Sequence, residues 1–283
     1  MSLAQELVER IDSIGTIPTA VAQVFALIND PKATMADFER VVRPDPGLTA
    51  NLLRSANSAY YRATREITSV KDAIGRMGLR RVFEVAASAS FAKTIPAELI
   101  GYGLSADAYW SHSVAVAVLA DRIGREAGFT YPDLAFTAGL LHDLGKVVVS
   151  AWLESNRALD VSGGLTTLER EEAVLGTTHP ELGEALCVRW HLPKDIVAAA
   201  RWHHAPGDAP TATQRYLATV VQVADHAASS AGLHDGFSPG DVAEALERLG
   251  LDADKLAGIV ARAQPEIERT RELLASTTRA RAA

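Results

Sequence analysis

The stretch Gly139-Leu-Leu-His-Asp-Leu-Gly-Lys146 constrains this chain more than any other. Its surroundings (Ala135, Phe136, Ala138, Leu140, Leu141, Leu144, Val147 and Val148) are apolar, which predicts a buried, helical setting. His142 and Asp143 stand side by side in that run. A carboxylate stays fully buried only when it is paired or coordinates a metal. Lys146 follows His142 by four residues, a spacing that on a helix puts both over one face. A lone His-Asp pair is also satisfied by a buried histidine with a carboxylate neighbour, so the rest of the chain must decide.

The 283 residues, 48% of them hydrophobic, are enough for one large or two ordinary domains. Aromatics make up only 6%, and Ala and Leu, strong helix formers, are abundant. Apolar residues recur at helical spacing throughout, and strand-like alternation is nowhere sustained. Helices are predicted over 3–14, 19–28, from Thr34, over 48–60, from Ser69 and over 82–93, with breaks at Gly15-Thr-Ile-Pro18, Asn29-Asp-Pro-Lys32, Arg43-Pro-Asp-Pro46 and Gly78. The Gly-containing segment 96–105 marks a boundary between an N-terminal lobe, 1–104, and a second lobe, 105–283. There a long helix over 107–128 is followed by one opened by Tyr131-Pro132 and carrying His142-Asp143. Next come helices over 166–175, headed by the capping box Thr166-Thr-Leu-Glu169, from His179-Pro180, over 195–202, 213–229, 241–249 and 256–274, the last broken or kinked before Pro265. The fold class is therefore all-α.

Charge and cysteine usage narrow the function. Residues 1–104 carry 12 Lys and Arg against 11 Asp and Glu, and residues 105–283 carry 16 against 24. An acidic second lobe argues against nucleic-acid binding through a broad basic face. The single cysteine, Cys187, excludes an intrachain disulfide framework and reads as a small buried hydrophobe. Glu6, Glu9, Arg10 and Asp12 do not fit a signal peptide, and the apolar run Val114 to Ala120 is too short to span a bilayer. A soluble, cytoplasmic protein with no membrane partner is expected.

Five of the eight histidines form an ordered series: His112, His142, His179, His203 and His204. Asp143 and Asp225 join it. Each alone has an ordinary reading: a core His, a helix cap, a solvated helix C-terminus favoured by the dipole, an ion-pair partner. Together, in an apolar lobe, they suit one or two divalent ions such as Fe, Mn, Zn, Co or Ni, with Asp143 placed to bridge two of them. His191, His226 and His234 fit no site. Arg80-Arg81 reads as a solvated helix start, and Asn57, Tyr60 and Tyr61 as packing or as an interaction face.

The order His…His-Asp…His…His-His…Asp resembles the HD superfamily of metal-dependent phosphohydrolases. Over Ile17 to His204 the chain is similar to the HDOD family, the HD-related output domain of bacterial signalling. Ile17-Pro-Thr-Ala-Val, Leu27-Ile-Asn-Asp-Pro, Asp45-Pro-Gly-Leu-Thr, Leu52 to Ala59 and Ile67-Thr-Ser-Val-Lys-Asp-Ala-Ile carry that likeness. The resemblance implies a helical N-terminal lobe packed on an HD-like lobe, and a regulatory module that binds a signalling partner, its input arriving from another chain. Most such proteins have lost metal ligands; here the series is complete. It departs from the HD-GYP branch, since Ala205-Pro-Gly-Asp208 follows the His pair with no Gly-Tyr-Pro and position 108 is Ala rather than Glu. The alternative is an active phosphohydrolase on a nucleotide, cyclic dinucleotide or other phosphoester. There Asp143 would bridge the ions and Lys146 would neutralise phosphate charge, unless Lys146 merely covers neighbours such as Val149 with its stem.

Overall fold

The computed structural model describes residues 7, 23, 24, 27, 32–57, 66–91, 98–156, 166–233 and 241–279. Most of the first two predicted helices, the Ile17-Pro-Thr-Ala-Val segment, Tyr60, Tyr61 and His234 lie outside them. The chain forms two compact units, one of residues 17–94 and 269–283, the other of 1–16 and 95–268. Segment 96–104, placed by the sequence at the edge of the N-terminal lobe, belongs to the second of these.

In the first unit, α1 (Met35–Val42) opens with a reciprocal capping box between Thr34 and Asp37 and buries Phe38 and Val42. α2 (Pro46–Ala56) follows the Asp45 cap, whose carboxylate accepts the Leu48 N–H at 2.9 Å. α3 (Val70–Phe91) is kinked at Gly78, where φ is 79° and ψ 158°, values open to glycine and costly for other residues. This kink merges the fifth and sixth predicted helices, and Arg80 and Arg81 lie within its second segment. Asn57 is a local tie: its side chain donates to Ile67 O (2.7 Å) and accepts from Ile67 N (2.8 Å), closing the loop between α2 and α3.

The second unit holds the helices α4 (Ala106–Glu126), α5 (Pro132–Leu141), α6 (Leu144–Asn156), α7 (Thr167–Leu175), α8 (His179–Arg189), α9 (Lys194–Trp202), α10 (Ala212–Ser230), α11 (Ala243–Arg248) and most of α12 (Ala253–Arg279). Residues 114–120 of α4 are buried on every side, as in a central core helix. α4 packs on α5 and α10, α6 on α8, and α9 on α8 and α10. Cys187 is buried and free. The stretch Leu134–Leu153 is long and apolar enough to cross a membrane by composition alone, but 94% of it is buried inside the protein.

A two-residue antiparallel hairpin, β1 (Glu98–Leu99) and β2 (Leu104–Ser105), precedes α4, and strands this short leave the all-α class intact. Leu99, Leu104 and Tyr109 form a small core with Val147 of α6, and Ser150 of the same helix accepts Ile100 N–H at 2.8 Å. α12 keeps Pro265 inside one helix, so of the break or kink expected there the break does not occur.

Candidate metal centre

The helix predicted through His142-Asp143 stops at Leu141 and restarts at Leu144, so the pair sits at a junction between α5 and α6. Two glycines explain how other helices come so close to it. A Cβ on Gly139 would stand 2.8 Å from Val116 O and 2.9 Å from Ala117 Cα, so a bare backbone is needed where α5 crosses α4, the helix of His112. A Cβ on Gly145 would fall on the carbonyl of His179, so glycine is needed again where α6 meets the first turn of α8. Gly183 completes that crossing from the α8 side. The two glycines of the motif thus draw in one histidine-bearing helix each.

All seven residues of the ordered series converge. Asp143, His179, His203 and His204 offer ligand atoms within 4.8 Å of one another, and so do His112, His142 and Asp225. Asp143 lies between the two groups: Oδ1 is 3.3 Å from His179 Nε2 and 3.6 Å from His203 Nε2, while Oδ2 is 3.4 Å from His142 Nε2. His112 Nε2 is 3.2 Å from Asp225 Oδ1, and His179 Nε2 is 3.2 Å from His204 Nε2. All are buried except His204, which is partly exposed.

The outer ring nitrogens are tied back. Nδ1–H of His112 donates to Leu233 O (2.7 Å), that of His142 to Gly139 O (2.8 Å) and that of His203 to Ala200 O (2.9 Å). His179 Nδ1–H instead donates to the carboxylate of Glu171, 2.9 Å from Oε2. This fixes the tautomer that turns each Nε2 lone pair inward. Facing one another, His142 Nε2, His203 Nε2 and Asp143 Oδ1 are buried and make no hydrogen bond. Buried polar atoms without partners are rare and call for an explanation, and a cation fits this one. The donor set of imidazoles and carboxylates suits a divalent transition metal.

Lys146 pairs with Asp143. It is fully buried, with Nζ 2.7 Å from Asp143 Oδ2 and 5.6 Å from the Tyr102 ring centroid, so neither a solvent-exposed head nor a stem spread on the surface describes it. Burial opposes the charge on Asp143, but the His142 ring, the Lys146 ammonium and the facing His179 and His203 rings hold its carboxyl well below the usual range. Burial pushes the His142 ring down to about 4 against the pull of Asp143, so it is neutral and able to ligate at pH 7. Burial and the neighbouring His203 and His179 push His204 down too. His179 goes the other way: burial is outweighed by the Asp143 and Glu171 carboxylates on its two sides, which favour the protonated ring.

Sequence reasoning passed over Glu171 and Tyr102. Glu171 Oε2 also accepts the backbone N–H of His179 (2.7 Å), and Tyr102 O–H donates to Glu171 Oε1 (2.6 Å). The available signal was position: Thr167, Glu171 and Leu175 fall on one buried stripe of α7, where a lone carboxylate needs a partner. His191 and His226 stay outside the cluster.

Residues 14–206 match the HDOD domain family. A solved HDOD domain protein of unknown function from Geobacter sulfurreducens is 27% identical, with a TM-score of 0.73 covering 97% of each chain. A phosphohydrolase-like protein from Shewanella amazonensis, at 21% identity and a TM-score of 0.70 over 96% of this chain and 97% of that one, shares the fold. An uncharacterised protein of Treponema pallidum is 27% identical over 234 residues, 77% of this chain and 43% of its own length. The chain spans less than half the length of the curated relatives it matches.

Proposed function

The chain belongs to the HDOD domain family, and from that premise we propose that it is a signal-transduction module that retains an HD-type metal centre and works by binding a protein partner. One observation carries this reading. The seven candidate ligands converge, four of the histidines with their tautomers fixed, yet all but His204 are closed off from solvent. Catalytic metal sites keep a position open to substrate, whereas structural ones are enclosed. Here the cation nearest Asp143, Lys146, is spent on that carboxylate rather than turned toward a cleft. His112, His142 and Asp225 would hold one ion and His179, His203 and His204 a second, with Asp143 between them. A divalent ion bound there supplies charge neutralisation and Lewis acidity. The protein's own part is to keep the His142 and His204 rings neutral, fix ring direction and exclude water. In this role the bound form presents a rigid lobe to the partner, since metal binding to a site absent from the unfolded chain adds folding free energy.

A second reading, metal-dependent hydrolysis of a phosphoester, is favoured by the complete ligand series and by partly exposed His204, the one ligand through which a substrate oxygen could approach. A screen of nucleotides, cyclic dinucleotides and a generic phosphodiester with Mn- or Fe-loaded protein separates the two. The signalling reading expects full metal content and no turnover. Turnover that is lost in Asp143→Ala overturns it.

A further inference from the structure

Three of the tied-back imidazoles lean on neutral backbone carbonyls, and His179 alone leans on a carboxylate. That carboxylate, Glu171, collects three donors: the His179 ring Nδ1–H, the His179 backbone N–H at the first turn of α8, and the Tyr102 hydroxyl. It is nearly fully buried, at 2% exposure. A charged acceptor makes a stronger bond than a carbonyl and raises the basicity of the opposite ring nitrogen. Tyr102 lies in the turn of the β1–β2 hairpin, which Ser150 fastens to α6.

We propose that Glu171 and Tyr102 are positioning residues that set the divalent-cation affinity of one metal position, that of Asp143, His179, His203 and His204, and leave the position of His112, His142 and Asp225 unaffected. The inference rests on the metal-centre reading above and adds to it an asymmetry. Glu171 holds His179 with Nε2 toward Asp143 Oδ1; Tyr102 holds Glu171. The hairpin thereby becomes part of the second position's support, and a change that moves the hairpin loosens one ion and not the other.

The test uses the full chain stripped with chelator and titrated with Mn²⁺ alone by calorimetry. His112→Ala and His203→Ala identify which binding step belongs to which position. Glu171→Gln keeps the shape and removes the charge. It is expected to weaken the step lost in His203→Ala by about 10–100-fold, the usual cost of losing an outer partner of a ligand, and to leave the other Kd at its wild-type value. Tyr102→Phe, which keeps the ring and its packing, should weaken the same step by a smaller factor. A purely structural cap at α8 would lower the melting temperature of the metal-free protein and shift both steps equally or neither, and either result overturns the proposal. If Glu171→Gln does not fold, Tyr102→Phe decides alone: unchanged affinities at both steps overturn it. A wild type that binds no Mn²⁺ sinks the metal-centre reading itself, an outcome distinct from two intact steps that ignore Glu171.

Discussion

The two halves of the centre share Asp143 and differ in what stands behind them. Around His112, His142 and Asp225 the support is backbone: Leu233 O and Gly139 O hold the rings, and each of the three is buried. Around His179, His203 and His204 the support is partly charged, through Glu171, and one member is partly exposed. A backbone carbonyl moves only with its chain, while a side-chain carboxylate held by a hairpin tyrosine can move alone. The difference teaches that two ligand groups drawn together by one sequence motif need not be equivalent: the first is held by backbone and the second in part by side chains.

The largest effect should come from the residue both halves use. Asp143→Ala removes the shared carboxylate and also strands Lys146, fully buried with its ammonium 2.7 Å from that carboxylate. Leaving a buried charge uncompensated costs about 3–5 kcal/mol. The variant should therefore melt lower than even the chelated wild type, and chelator should not lower it further. Adding Lys146→Met should recover part of the loss in the metal-free state. A single variant as stable as chelated wild type would show that Lys146 finds solvent in its absence.

A pH titration of the metal-free protein comes next. The folded-state value of His142 lies near 4, below the ordinary 6.5, because burial disfavours the imidazolium. The unfolded chain then binds the extra proton first, so this group's contribution is whole above about pH 6.5 and drains as pH falls toward 4. The slope is at most about 1.4 kcal/mol per pH unit for one proton. His179, raised instead, works in the opposite sense: its contribution is present below its ordinary value and is lost as pH rises through the elevated one. Denaturant melts between pH 4 and 7 should be steeper in wild type than in His142→Gln. Parallel curves would mean that His142 titrates normally.

Smaller effects separate the halves. Gly145→Ala drives a methyl onto the His179 carbonyl, and Gly139→Ala drives one onto Val116 O. Each should cost about 1–3 kcal/mol in thermal melts, as overpacking does. Gly145→Ala should also weaken Mn²⁺ at the position of His179, and Gly139→Ala at that of His112. If both weaken the same step, the two halves are not mechanically separate.

Much of this centre was legible in the sequence because histidine is scarce and its positions stand out against apolar flanks. The all-α class followed from the helical spacing of apolar residues, and the caps at Thr34 and Thr166 fall where the sequence implies, while the helix expected from Leu48 starts two residues earlier, behind Asp45. The break at His142-Asp143 was hidden because Leu144, Val147 and Val148 continue the apolar pattern across it. Gly139 and Gly145 gave no sign of their role, since their necessity comes from backbones far away in sequence. Glu171 was masked by Glu169, Arg170 and Glu172, which make α7 look like a solvated helix. The partner that reveals it, Tyr102, lies 69 residues upstream.

The central claim is that Asp143 lies between two ions. Crystals soaked in Mn²⁺ and measured for anomalous scattering test it most directly. Two peaks about 3.5–4 Å apart, one beside His112, His142 and Asp225 and the other beside His179, His203 and His204, are the predicted result. A map with no anomalous peak within reach of Asp143 contradicts it.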